Sequence, residues 1–215
     1  VPVFGPQAQL LNFFGDAVVH SELGIDDERA LVRRKEHIKF LPALADVFDA
    51  NAARTPGKLA VREDEREVSY AELRARSETV TRMLETLGVT AGARVGLMVP
   101  NSAAYVAGYF GIARAGGVIA PLNVRYRTQE LVYYLEDTRA AALVVSPDLV
   151  DVAREAIAPM PGAPPLVEID DAGACRVLGG ATPGAAAAAR DAAGAPLGAA
   201  PLMHQYTSGS TGAPK

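Results

Sequence analysis

Cysteine is almost missing from this chain of 215 residues: Cys175 stands alone, which excludes an internal disulfide framework. Histidine is scarce as well. His20, His37 and His204 show no ligand spacing with that cysteine, which argues against a structural zinc site. Both scarcities match a reducing, cytoplasmic compartment. There is no excess of positive charge. Lysine and arginine together number 21 against 25 aspartates and glutamates, a net charge of −4. A protein that tracks a phosphate backbone needs a basic face, so a nucleic-acid partner is not expected.

A targeting signal is missing too, because Val1–Leu11 has no basic stretch ahead of an apolar run. The one stretch of membrane-span length, 103–122, contains Arg114, Gly116-Gly117 and Pro121. It reads instead as a buried helix, a glycine stop and a buried strand, so no transmembrane segment is expected. What is present is ordinary globular material, 49% hydrophobic and 21% charged, which excludes disorder of the whole chain. A chain of this length buries roughly 70% of its unfolded surface.

Residues 1–40 form a heterogeneous N-terminal extension with the charged patches Asp26–Arg29 and Arg33–Glu36. A helix is predicted from Leu41 to Ala53, ended by Thr55-Pro56-Gly57, then a strand over Lys58–Glu63 and a polar turn leading to Val68. Ser69-Tyr70-Ala71-Glu72 is a capping box that opens a helix carrying Leu73, Val80, Met83, Leu84 and Leu87 on one stripe, stopped by Gly88. Arg94–Val99 reads as a buried strand. Ser102 caps the next helix, whose Ala104, Ala107, Gly108 and Gly111 allow close approach to a sheet. Strands are predicted at Val118–Leu122, Ala142–Val145 and Leu166–Ile169, and helices from a Thr128 cap and over Leu149–Ile157.

Strand and helix alternate, and the strands are continuous apolar runs. That pattern predicts an α/β fold, a layered and largely parallel sheet flanked by helices. Pro159–Pro201 differs, since about two thirds of it is Ala, Gly or Pro. Apart from Leu166–Ile169 and a short helix at Ala185–Arg190, it reads as a loop, and 158–201 as a connecting segment.

The C-terminal residues carry the chemistry. Leu202–Tyr206 reads as a short strand running into Thr207-Ser208-Gly209-Ser210-Thr211-Gly212-Ala213-Pro214-Lys215. Glycines let successive amides converge on an anion, four hydroxyls add donors, and Lys215 adds positive charge. The Walker pattern fails because Pro214 precedes the lysine, and the nucleophile elbow fails because Ser208 stands where glycine is needed.

Tyr206–Lys215 (YTSGSTGAPK) resembles the phosphate-binding signature of the adenylate-forming (AMP-dependent) synthetases and ligases. Val68–Leu73 (VSYAEL) and Ala113–Asn123 (ARAGGVIAPLN) are similar to two earlier motifs of that family, in the same order. The resemblance covers about residues 41–215, the N-terminal part of the family's large domain. It implies two half-reactions. A carboxylate attacks the α-phosphate of ATP and releases pyrophosphate, and a thiol then displaces AMP. On this resemblance Thr207, Ser208, Gly209, Ser210, Thr211, Gly212 and Lys215 bind the ATP phosphates, with Mg²⁺. Ala213 and Pro214 shape the loop.

Asn123 and Arg127 are more like the acyl-CoA synthetase form than the peptide-synthetase form, which has aspartate and proline there. The expected partners are therefore a carboxylic acid, CoA as cosubstrate and the remaining part of the enzyme, its C-terminal domain. A carrier-protein adenylation domain and a truncated non-catalytic docking module are the alternatives, and a homo-oligomer is compatible with either. The family's adenine motifs and the lysine that meets the acid carboxylate are absent, and Lys215 is not that lysine. The chain reads as an N-terminal fragment that does not complete the reaction alone, and its acid is not legible. Four further residue groups read blandly: His204 as a strand histidine, Cys175 as an inert thiol, Tyr105, Tyr109 and Phe110 as packing, and Arg125 and Arg127 as a solvated rim.

Overall fold

The computed structural model describes residues 44–179 and 201–205. The chain opens with α1 (Leu44–Arg54), which buries Ala45, Phe48 and Ala52. β1 (Leu59–Glu63) and β2 (Arg66–Ser69) follow and pair antiparallel. The polar turn of the sequence is therefore the tip of a hairpin, and β2 is a strand where the sequence pattern predicts only a turn leading to Val68.

Ser69 ends β2 and caps α2 (Tyr70–Thr86) through the predicted capping box. Its hydroxyl accepts the Glu72 amide at 3.3 Å, while the Glu72 carboxylate accepts the Ser69 amide and hydroxyl at 2.8 Å each. Those bonds, the backbone one first, hold the Glu72 carboxyl below its usual range. Leu73, Val80, Leu84 and Leu87 are buried as the stripe predicts. Gly88, at φ 78°, takes the left-handed conformation that stops the helix.

β3 (Arg94–Met98), α3 (Ala103–Arg114) and β4 (Val118–Pro121) form the next unit. The Ser102 hydroxyl accepts the Tyr105 amide at 3.1 Å and caps α3 as read from the sequence. Gly116 turns the chain at φ 75°, so 103–122 is a helix, a turn and a strand. Among the described residues no helix is long and apolar enough to cross a membrane. α4 (Thr128–Thr138) is followed by β5 (Ala142–Val145), a short 3₁₀ turn at Pro147–Leu149, α5 (Val150–Ile157), β6 (Leu166–Ile169) and β7 (Cys175–Gly179). Thr128 is not the cap of α4. Arg127 occupies that position, and Glu130 accepts its amide at 2.7 Å.

The main sheet has the order β4-β3-β5-β6-β7. β4, β3, β5 and β6 run parallel. β7 runs antiparallel to β6. β7 falls inside the stretch that composition marked as a loop. Asp170 makes the turn, its carboxylate accepting the Ala174 amide at 2.9 Å, with Gly173 at φ 81°. The Ala185–Arg190 helix and residues 1–40 lie outside the described residues.

Helices cover both faces. Val95, Leu97, Val144 and Val167 pack with α1, α2 and α3 on one face. Met98, Leu143, Val145 and Leu166 pack with α4 and α5 on the other. The small residues of α3 serve two neighbours, not the sheet alone. A Cβ on Gly108 would lie 2.8 Å from Leu97 of β3, but one on Gly111 would lie 2.5 Å from the Cβ of Val80 and 2.9 Å from the Ser77 carbonyl of α2. The Thr81 hydroxyl donates to the Gly111 carbonyl at 3.1 Å across the same contact.

Two substitutions test this packing. Ser69→Ala should lower stability by about 1 kcal/mol in denaturant unfolding without changing chemistry. Gly111→Ala should cost about 1–3 kcal/mol although alanine is the better helix former, because Val80 and the Ser77 carbonyl leave no room. A neutral or stabilising result would show that α2 and α3 separate easily.

Candidate functional site

In open α/β sheets, ligands gather outside the C-terminal ends of the parallel strands. Here that edge is formed by the residues after Met98, Pro121, Val145 and Ile169. The loop after β3 leads to α3 on one face and the loop after β5 to α5 on the other, which makes the β3–β5 boundary the switch point. Ser146 sits there, with its amide donating to the Met98 carbonyl at 3.3 Å. Its hydroxyl has no hydrogen-bond partner among the described residues. It is closed off from solvent, so no ligand atom reaches it in this conformation.

A fifth parallel segment reaches the same sheet. The Ile119 amide donates to the Leu202 carbonyl at 2.9 Å, and the His204 amide donates to the Ile119 carbonyl at 2.8 Å. Met203 thereby bridges Ile119 in parallel on the outer side of β4. The strand predicted at Leu202–Tyr206 is thus a single bridge within the described residues. It runs in the direction of β4, toward the C-terminal edge. Thr207, Ser208, Gly209, Ser210, Thr211, Gly212 and Lys215 lie outside the described residues.

One loop at this edge is held by side-chain hydrogen bonds that the sequence pattern does not reveal. Between β4 and α4, the Asn123 carboxamide oxygen accepts the Arg125 amide at 3.0 Å and the Asn123 carbonyl accepts the Tyr126 amide at 3.0 Å. The rings of Tyr126 and Tyr134 stack at 4.6 Å, and their hydroxyls hydrogen-bond at 2.9 Å. Burial first, then the bond from Tyr126, pushes the Tyr134 hydroxyl well above its usual range. Arg125 and Arg127 are exposed, and among the described residues neither guanidinium meets a carboxylate.

The remaining candidates are structural. Phe110 is fully buried and stacks on Phe48 at 4.1 Å, and Tyr105 is buried beside Tyr109. Burial pushes the Tyr109 hydroxyl up to about 12. Arg114, at the end of α3, grips the Asp49 carboxylate of α1 with two hydrogen bonds, one of 2.7 Å from Nη1. Among the described residues no group of three His, Cys, Asp or Glu side chains gathers to hold a metal.

Cys175 is half-buried at the start of β7. Burial, and secondarily Asp170, pushes its thiol from about 9 up to about 11. A raised thiol pKa favours the neutral form in the folded state, so its contribution to stability falls as pH rises from about 9 through about 11. At pH 8 its alkylation by iodoacetamide should run about a hundredfold slower than that of a free thiol, the two-unit loss of thiolate. Alkylation at the free-thiol rate would show the site to be open.

The model of the family described as "AMP-binding enzyme" matches residues 48–215. The AMB antimetabolite synthetase AmbB of Pseudomonas aeruginosa is 33% identical over 90% of this chain and 14% of its own length. The 4-hydroxybenzoate–CoA/benzoate–CoA ligase of Rhodopseudomonas palustris is 32% identical over 80% of this chain and 32% of its own. Among solved structures, apo MbtA of Mycobacterium smegmatis superposes with a TM-score of 0.67 at 29% identity, over 87% of this chain and 35% of that one. The chain therefore spans between about a seventh and a third of these relatives. With a family match over most of its length and the parallel sheet layered between helices, the chain belongs to the AMP-binding enzymes, the adenylate-forming superfamily.

Proposed function

We propose that this chain is the N-terminal part of an AMP-forming carboxylic acid–CoA ligase. The carrying observation is the segment at Leu202–His204, which runs parallel beside β4 in the direction of the sheet's C-terminal edge and is followed in the sequence by YTSGSTGAPK. Strand, glycine-rich loop and edge are the arrangement that a nucleotide triphosphate needs.

In the first half-reaction an oxygen of the acid attacks the α-phosphorus of ATP, the bond to the β-phosphate oxygen breaks, and pyrophosphate leaves. Thr207, Ser208, Ser210 and Thr211 would donate hydroxyls to the phosphates, Gly209 and Gly212 would let backbone amides converge on them, and Lys215 would neutralise the charge that grows on the leaving group. Mg²⁺ would arrive with the nucleotide and offset phosphate charge. In the second half-reaction the CoA thiol attacks the acyl carbonyl and AMP leaves. The groups that recognise adenine and the acid belong to the rest of a longer enzyme.

Asn123 and Arg127 favour CoA as the acceptor, and a benzoate–CoA ligase among the relatives supports this reading. The runner-up, an adenylation domain that loads a carrier protein, draws on the synthetase AmbB, which aligns over more of the chain.

The test is acid-dependent exchange of labelled pyrophosphate into ATP by the enzyme that contains this chain. Lys215→Ala and Thr211→Ala should each lower the exchange rate by about a hundredfold, the scale of a lost donor to developing charge, with a smaller change in acid binding. Unchanged exchange in both variants would overturn the loop assignment. CoA-dependent release of AMP separates the two acceptors, since a carrier-loading enzyme would leave free CoA unused.

A further inference from the structure

Among the described residues the buried polar side chains are those of Ser77, Thr81, Thr138 and Ser146. The first three donate to backbone carbonyls. Ser77 reaches that of Arg74 at 2.8 Å, Thr81 those of Ser77 and Gly111 at 3.0 and 3.1 Å, and Thr138 that of Tyr134 at 2.6 Å. Ser146 is 7% exposed, and its hydroxyl has no partner among the described residues. An unpaired buried hydroxyl costs stability that alanine would not.

A partner lies close in the chain. Ser146-Pro147-Asp148 is a helix start, with serine suited to the N-cap, proline to the first helical position and aspartate to the first turn. That pattern calls for a helix from Pro147, with the Ser146 hydroxyl accepting the Leu149 amide. The structure differs. Pro147–Leu149 is a 3₁₀ turn in which the Leu149 amide donates to the Ser146 carbonyl at 3.0 Å, and α5 begins only at Val150. Ser146 holds the cap position of that turn without a side-chain cap bond, and α5 has none either. Alternation along β5 puts position 146 on the side of Val144 and α1–α3, whereas α5 covers the other face. The Ser146 amide, bonded to the Met98 carbonyl at 3.3 Å, ties the residue to the end of β3.

We propose that residues 146–150 are a two-state turn at the β3–β5 switch point. In the state described, the turn is 3₁₀ and the Ser146 hydroxyl is buried unpaired. In the other, Ser146 caps a helix that begins at Pro147. Its hydroxyl accepts the Leu149 amide, and its carbonyl accepts the Val150 amide, which donates to Pro147 in the state described. The rise falls from about 2.0 to about 1.5 Å per residue, so three residues draw the loop in by about 1.5 Å. A ligand at this edge selects the position that it contacts better.

The experiment is amide hydrogen exchange across residues 147–157 in the enzyme that contains this chain. Ser146→Asp cannot keep its carboxylate buried and unpaired, so it turns out to cap, and exchange at Leu149 and Val150 should slow by about tenfold. Ser146→Asn, an uncharged cap, should slow it by a smaller factor and serves if the charge prevents folding. Ser146→Ala cannot cap. Its amides should exchange at the unsubstituted rate or faster, with Tm unchanged or higher. Equal exchange in all variants, or a Tm several degrees lower in Ser146→Ala, overturns the two-state turn. ATP with Mg²⁺ should move the unsubstituted pattern toward that of the capped or the alanine variant, an arm that rests on the ligase reading. No movement in an enzyme that exchanges pyrophosphate overturns the link to the ligand edge and leaves the ligase reading standing. Absence of acid-dependent pyrophosphate exchange overturns the ligase reading, and the opposed variants still decide the turn.

Discussion

β3 is hydrogen-bonded on both sides, to β4 and to β5, and is covered by helices on both faces. The parallel strands on either side take their register from it. Its residues alternate strictly: Val95 and Leu97 belong to the core under α3, while Met98 belongs to the core under α4 and α5. A strand buried on two faces has no polar side to spare, so a one-residue slip would move its large side chains into space shaped for others. Gly108 lets α3 come down onto Leu97, and Gly111 lets α2 come down onto α3. The helical layer on that face is locked to the sheet and to itself by the absence of two side chains.

That rigidity matters at the edge. The loops after β3, β4 and β5 inherit their spacing from the ladder, and the segment at Leu202–His204 inherits its direction from Ile119. An anion-binding loop needs amides that are already aimed, because aligning them at the moment of binding would cost conformational entropy. At Leu202–His204 the chain takes its direction from a buried sheet. The β4–α4 loop reaches the same end differently. It is held by side-chain acceptors from Asn123 and Glu130 and by a tyrosine stack, and it presents the exposed side chains of Arg125 and Arg127.

Much of this was legible in the chain. Ser69 and Glu72 lie three apart and Ser102 stands just ahead of an apolar helix, and both capped as their spacing predicts, because a cap is satisfied within one turn. The stops at Gly88 and Gly116 were readable for the same local reason. β7 was not. Its residues sit in a stretch dominated by Ala, Gly and Pro, and only pairing with β6 across the Asp170–Ala174 turn makes it a strand. Thr128 looked like a cap by residue type, but the Glu130 carboxylate found the amide of Arg127 one residue earlier.

The sequence by itself determined the alternation of helix and strand, the helix ends, and the signature Tyr206–Lys215 that names the family, all properties carried by neighbours in the chain. Only the tertiary structure decided which small residue met which neighbour, that Arg114 would grip Asp49, 65 residues away, and that Tyr134 would brace the loop bearing Arg125 and Arg127. Those contacts join groups brought together by the sheet and its two helical layers. Their free energy depends on distances that no local pattern encodes, and they exist only once β3 has been buried from both sides.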